Sequence, residues 1–249
     1  MSPLFSIVVA VQETGHLLSL TLDSIRAQTE KGLEVLLLDR GGCGHLAEVA
    51  RQYPFCRALS ATDMNEALAQ AKGKYLQFLS PGDRFISQQA LEYLRELIGD
   101  SQFPHLVYSG CLVPGSDGLP QAVSWPLNRE TLEKGTFPTA ARSSWFLRQS
   151  LQEAGGFCPD WKYRASFDVL CRLFLKQGIR AVYSRRVLTD SEPYPMSVRE
   201  MMGYAVETCR ILYRHFGLWR AVRWIFVQDH LRMLPRALGV VKRAFLGRE

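Results

Sequence analysis

The sequence predicts an α/β domain built on a parallel sheet of nucleotide-binding type, followed by a basic, amphipathic helical appendage. Three observations carry this expectation. Over the first hundred residues, apolar runs suited to buried strands alternate with segments of helical period. In TDMNEALAQAKGKYLQFLSPGD, residues 62–83, a polar-headed helix, a Lys-Gly-Lys turn and an apolar strand deliver Asp83 to a strand's carboxyl end, where open α/β sheets bind ligands. The net charge is +6, yet nine of the 30 Lys and Arg residues fall within residues 210–249 against only Asp229 and Glu249, so the rest of the chain is near neutral.

Residues 5–11 form a continuous apolar run, as expected of a strand buried on both faces. Leu17, Leu18, Leu20, Leu22 and Ile25 then recur at roughly helical spacing within residues 15–28, and a second apolar run over 33–38 completes a β-α-β unit. Asp39-Arg40-Gly41-Gly42 ends that strand with turn chemistry. A helix over 45–53 leads to a short strand at 56–59; Thr62 or Asp63 caps the next helix, and Gly73 terminates it. The strand 75–79, the turn Ser80-Pro81-Gly82-Asp83 and an amphipathic helix over 87–98 follow. Strands are expected at 106–109, 111–113 and 179–183, a hairpin turn over 115–118, and helices over 146–153 and 167–177, the last stopped by Gly178.

At 249 residues and 47% hydrophobic, the chain can bury a full core, and disorder is excluded. The division expected is a domain over 1–195 and an appendage over 196–249. The six cysteines form no C-x-x-C pair and have no metal-ligand spacing, so they read as reduced thiols of a cytoplasmic protein. The opening MSPLFSIVVAV is too short and too lightly charged for a signal peptide. No G-x-G-x-x-G follows the first strand, which argues against dinucleotide binding, and the histidines are isolated.

Five local matches in the required order give roughly the first 190 residues a resemblance to family 2 glycosyltransferases: SIVVAV, TLDSIRAQT, EVLLLDRGG, NEALAQAKGKYLQFLSPGD, and EAGGF with FDVLCRLFLKQG. The resemblance implies a GT-A-like fold with a mixed, mainly parallel sheet. It also implies transfer of a sugar, with inversion, from a nucleotide-sugar donor to a saccharide or lipid-linked acceptor, as in polysaccharide biosynthesis. It places Asp39 on the nucleoside, Asp63 and Asn65 near the donor, and Asp83 on a divalent cation, Mn²⁺ or Mg²⁺. Lys72 and Arg40 are candidate phosphate contacts. Each has a plainer reading as well: Asp39 and Asp83 as turn residues, Asp83 also as a helix N-cap, Asp63 and Asn65 as capping residues, and Lys72 and Arg40 as solvated cations.

Four departures weaken the match to that family. Arg40 replaces a usual acid, and near a diphosphate a unit charge pair at 4 Å is worth about 4 kcal/mol before desolvation. Ser80 and Gly82 stand at the other acidic positions of the metal motif, and the position of the catalytic base falls on Ser166, which cannot accept a proton at neutral pH. Asp168 and Asp160 are the substitutes available for the base, with Asp168 equally suited to pair with Arg172 at i+4. The alternative function is therefore a catalytically degenerate glycosyltransferase fold acting as a binding or assembly protein.

In the appendage, Leu218, Val222, Ile225 and Phe226 fall on one helical face among arginines, and no apolar run is long enough to span a bilayer. Either this face lies peripherally on anionic lipid at the inner face of the membrane, or it packs on the domain or on a twin subunit in a homo-oligomer. No nucleic-acid motif accompanies the basic residues.

Overall fold

The computed structural model describes residues 2–12, 14–42, 44–60, 63–115, 119–139, 141–191 and 197–227. The chain opens with β1 (Phe5–Val11), α1 (His16–Arg26), β2 (Leu33–Asp39), α2 (Leu46–Gln52), β3 (Cys56–Ala58), α3 (Met64–Gln70) and β4 (Tyr75–Leu79). β5 (Arg84–Phe85), α4 (Ala90–Asp100), β6 (Leu106–Pro114), β7 (Pro120–Val123), α5 (Arg129–Glu133), β8 (Ser144–Leu147) and α6 (Arg148–Glu153) come next. α7 (Ala165–Arg172), β9 (Ala181–Asp190), α8 (Val198–Phe216) and α9 (Leu218–Val227) complete it.

One mixed sheet runs through the molecule in the order β3-β2-β1-β4-β8-β6-β9-β5, with β7 paired to β6. β3, β2, β1 and β4 are parallel, whereas β8 joins β4 and β6 antiparallel. The apolar runs of β1 and β2 are continuous because both faces are covered. Ile7, Val9, Val35 and Leu37 point into one core with Leu22 and Ile25 of α1 and Leu91 and Leu94 of α4. Val8, Leu36 and Leu38 point into the other, with Leu68 of α3, Leu151 of α6 and Leu170 of α7. This two-residue alternation makes the sheet the middle of three layers.

The chain leaves β1 toward β2 and β3 on one side and returns to place β4 on the other. The switch point of the sheet therefore lies between β1 and β4, and the crevice beyond their carboxyl ends is the natural ligand position.

Several expected elements shift. The helix expected over 146–153 starts only at Arg148, because Trp145 and Phe146 alternate between the two cores and residues 144–147 form a strand. α3 ends at Ala71 in extended backbone, short of Gly73, whose role is close approach. A Cβ at Gly73 would lie 2.5 Å from the Ser6 amide nitrogen. Residues 173–177 continue α7 as a π-helical turn stopped by Gly178 in the left-handed region, and β9 extends to Asp190. The expected turn at 115–118 lies mostly outside the described residues.

The helices expected as an appendage share the main core. Ile211 and Leu212 of α8 and Ala221 of α9 are buried in the same cluster as β1, β2 and α7. Glu207 of α8 accepts three successive amides, from Lys162 (2.9 Å), Tyr163 (2.8 Å) and Arg164 (2.9 Å), which locks α8 to the start of α7. The face holding Leu218, Ile225 and Phe226 points outward instead. No described helix is long and apolar enough to cross a membrane.

Candidate functional site

A crevice of about 590 Å³ opens at the carboxyl ends of β1 and β2, beside the switch point. Gln12 and the Arg40-Gly41 turn form one wall, Arg142 another, and Lys162, Tyr163, Glu200 and Tyr204 the third. Gly41 is required here, since a Cβ would sit 1.9 Å from the Gln12 carbonyl oxygen. That contact folds the turn after β2 against the end of β1 and brings Arg40 to the opening. The Arg40 amide donates to the Val11 carbonyl at 2.8 Å, which fixes the same junction. A second cavity of about 380 Å³ shares Arg142, Tyr163 and Tyr204 and reaches Ser80, Arg164 and Ser166.

Three cations, Arg40, Arg142 and Lys162, face one carboxylate, Glu200, among the described lining residues. Glu200 occupies the third position of a capping box: its Oε2 accepts from the Ser197 amide (2.9 Å) and the Ser197 hydroxyl (2.8 Å). Those two bonds, the backbone one first, hold its carboxyl below the usual carboxylate range.

Asp83 stands behind this wall and does not line it. Its side chain is 1% exposed; Oδ2 accepts the Ser80 amide at 2.6 Å, and Oδ1 accepts Ser191 Oγ at 2.6 Å and Arg142 Nη1 at 3.1 Å. Burial pushes its carboxyl above the ordinary value; Arg142, Ser191 and the Ser80 amide recover only part of that shift. Asp83 is a turn residue that orients an arginine. It is not a helix N-cap, because β5 follows it directly.

These residues do not fit a divalent cation. The position calls for carboxylate oxygens open to the crevice, and Mg²⁺ or Mn²⁺ binds through such oxygens and water. Both Asp83 oxygens are sealed under protein donors, Ser80 and Gly82 supply no acid, and no cluster of three or more His, Cys, Asp or Glu side chains forms among the described residues.

Of the expected site residues, Arg40 lines this crevice, Asp39 adjoins it, and the rest lie outside its lining. Asp39 Oδ1 accepts the Gly41 and Gly42 amides at 3.1 and 2.7 Å, so the carboxylate shapes the loop that carries Arg40. Asp63 is the N-cap of α3, accepting the Asn65 and Glu66 amides at 2.7 and 2.9 Å. Asn65 forms a reciprocal clamp on Phe157, donating to its carbonyl and accepting from its amide, both at 2.7 Å. Lys72 lies before the amino end of β4, beside Lys31 and Glu34, a full strand away from the crevice. Asp160 sits exposed on the turn before Trp161.

Asp168 is 0% exposed, with Arg172 Nε at 3.0 Å from Oδ2 and His215 Nε2 at 2.8 Å from Oδ1. Burial alone would raise its carboxyl, but the His215 bond and the Arg172 charge outweigh it and hold it below the usual range. The i+4 pairing is realised, and both carboxylate oxygens are taken up by Arg172 and His215 away from the crevice lining. Ser166, at the expected base position, does line the second cavity.

Sequence reasoning missed Arg142, Lys162 and Glu200. Glu200 carried a readable signal, the Ser-x-x-Glu spacing of Ser197 to Glu200. Arg142 carried none, since its partners lie 49 and 59 residues away.

No family model and no curated protein matches the chain. Solved structures do match its fold. Residues 1–349 of TarS from S. aureus, in complex with UDP-GlcNAc, superpose with a TM-score of 0.65 at 15% identity, covering 85% of this chain and 66% of that one. The mannosyltransferase PcManGT from Pyrobaculum calidifontis, in complex with GDP-Man and Mn²⁺, gives 0.60 at 17% identity and covers 100% of this chain and 81% of that one. The chain therefore has a GT-A-like glycosyltransferase fold.

Proposed function

We propose that the chain binds a nucleotide-sugar in the crevice beside β1 and β2 and transfers the sugar to a saccharide or lipid-linked acceptor. The observation that carries this reading is the convergence of Arg40, Arg142 and Lys162 at the switch point of a glycosyltransferase fold, where three cations suit a diphosphate. TarS and PcManGT, which share the fold, were solved with UDP-GlcNAc and GDP-Man.

In an inverting transfer a carboxylate takes the acceptor hydroxyl's proton as that oxygen attacks the anomeric carbon, while cations stabilise the departing diphosphate. Asp168 is sealed, and Asp160 is absent from the crevice lining, so Glu200 is the carboxylate we assign to the proton. Its capped position keeps it ionised at neutral pH, with Oε1 free of the capping bonds.

The test is release of nucleoside diphosphate from UDP- and GDP-sugars by the whole chain. Glu200→Gln should lower kcat by 10²-fold or more while nucleotide affinity changes little. Unchanged turnover in that variant removes Glu200 from the chemistry.

A second reading, a donor-binding protein without transferase activity, is favoured by Ser166 at the expected base position. It predicts tight nucleotide-sugar binding with no turnover on any acceptor.

For the acceptor, we propose that the outward face of α9 rests on anionic lipid. Trp219 and Phe226 are 79% and 80% exposed there, with Arg214 and Arg223 exposed nearby. Residues 228–249, the rest of the expected anchor, lie outside the described residues. Sedimentation with phosphatidylglycerol vesicles should fall when Trp219 and Phe226 are both changed to Ser, and equal sedimentation would end this idea.

A further inference from the structure

We infer that Arg142, moored by Asp83 and Ser191, is the cation that meets the donor diphosphate, so that nucleotide binding needs no divalent metal. This inference rests on the nucleotide-sugar reading of the same crevice and extends it to how the phosphate charge is met.

The geometry carries it. Asp83 arrives at the switch point on the β4 turn, where a metal-binding carboxylate would face the diphosphate, yet both its oxygens turn inward. The positive charge they hold belongs to Arg142. Arg142 enters from the short helical turn Ala141–Ser143, and its backbone carbonyl accepts from the buried Gln77 side chain of β4. At the guanidinium, Nη1 donates to Asp83 Oδ1 at 3.1 Å and to Ser191 Oγ at 2.9 Å. Both moorings use one nitrogen. The described residues give Nε and Nη2 no acceptor, and with 33% of the side chain exposed in the crevice wall, those N–H groups are available to a phosphate.

An arginine suits this exchange of charge carriers. It is always protonated, presents five donors in a rigid plane, and matches phosphate oxygens two at a time. A side chain already held on one edge loses less freedom when its other edge binds. Arg40 and Lys162 line the same crevice, so the charge of a departing diphosphate is met from three sides without a bound ion.

The experiment is isothermal titration of the full chain with uridine diphosphate and with guanosine diphosphate, in excess EDTA and again in MnCl₂. The expected result is binding of at least one nucleotide with Kd values that agree within about threefold between the two conditions, weakened at least tenfold by Arg142→Gln. Arg142→Lys, which keeps the charge and loses the fork, should fall between. Binding that appears only with Mn²⁺ overturns the role of Arg142 and leaves the nucleotide-sugar reading standing. Metal-free binding that survives Arg142→Gln also overturns it, assigning the phosphate to the other cations. Binding of neither nucleotide in either condition removes the nucleotide-sugar reading and this inference together. Should Arg142→Gln fail to fold, the EDTA arm on the unaltered chain still decides whether a metal is needed.

Discussion

Two buried aspartates, each bonded to an arginine, sit in different regions and are driven in opposite directions. Asp83, between the parallel strands and β9, is pushed up; Asp168, between α7 and α8, is held down. At Asp83 burial outweighs the partners, and at Asp168 the partners outweigh burial. Arg172 and His215 are themselves nearly enclosed, at 14% and 6% exposure, so their attraction acts in a low dielectric, and Asp168 joins α7 to α8 as a structural ion cluster. Arg142 is a third exposed to water, which screens its attraction for Asp83 while leaving part of the guanidinium open to bind something else. A closed charge cluster reads as architecture; an open one reads as a site.

The largest expected effect breaks the closed cluster. Asp168→Asn leaves Arg172 and His215 buried without their anion and should destabilise the fold by about 4 kcal/mol, or roughly 10 °C in Tm for a chain of this size. Urea unfolding measures it, and a loss under 1 kcal/mol would return Asp168 to consideration as a functional group. Next in size, Glu207→Ala removes the acceptor of three amides and should cost about 2 to 3 kcal/mol, loosening α8 and with it the wall that carries Glu200 and Tyr204. If proteolysis of that variant does not accelerate between residues 191 and 216, the docking of α8 does not depend on Glu207.

Asp83→Asn sharpens the comparison from the other side. Stability should change by no more than about 1 kcal/mol, because the carboxyl is already unfavourably buried and Arg142 keeps its access to water. Nucleotide affinity should nevertheless drop about tenfold as Arg142 loses its mooring. A stability loss as large as that of Asp168→Asn would erase the distinction between the two regions.

The same contrast explains what was legible in the sequence. β1, β2 and β4 could be read almost to the residue, because strands buried on both faces need unbroken apolar runs and short-range rules govern their ends. The Asp63 cap and the Asp168–Arg172 pair are likewise local, at spacings of two to four. The strand at 144–147 was missed because Ser-Trp-Phe-Leu suits either element, and only its place between β4 and β6 decides. The candidate site was only partly legible for a related reason. The motif aspartates could be located, but whether their oxygens face a ligand or a guanidinium depends on residues such as Arg142 and Ser191, whose arrival is a property of the tertiary fold.

The smallest expected effect is a difference in pH dependence, and it tests the opposite shifts directly. The folded pKa of Asp168 lies below the ordinary value of about 3.9, so its stabilising contribution is complete above that value and is lost as pH falls through the lower folded pKa. The folded pKa of Asp83 lies above the ordinary value, so its contribution is complete below about pH 3.9 and is lost as pH rises through the higher folded pKa. Urea unfolding of the unaltered chain and both Asn variants from pH 3 to pH 8 should therefore give difference curves of opposite slope. The advantage of the unaltered chain over Asp168→Asn should shrink toward acid, and its advantage over Asp83→Asn should shrink, or reverse, toward neutral pH. Parallel curves would mean that the two carboxylates experience the same balance of burial and charge, and would overturn the contrast between the two regions.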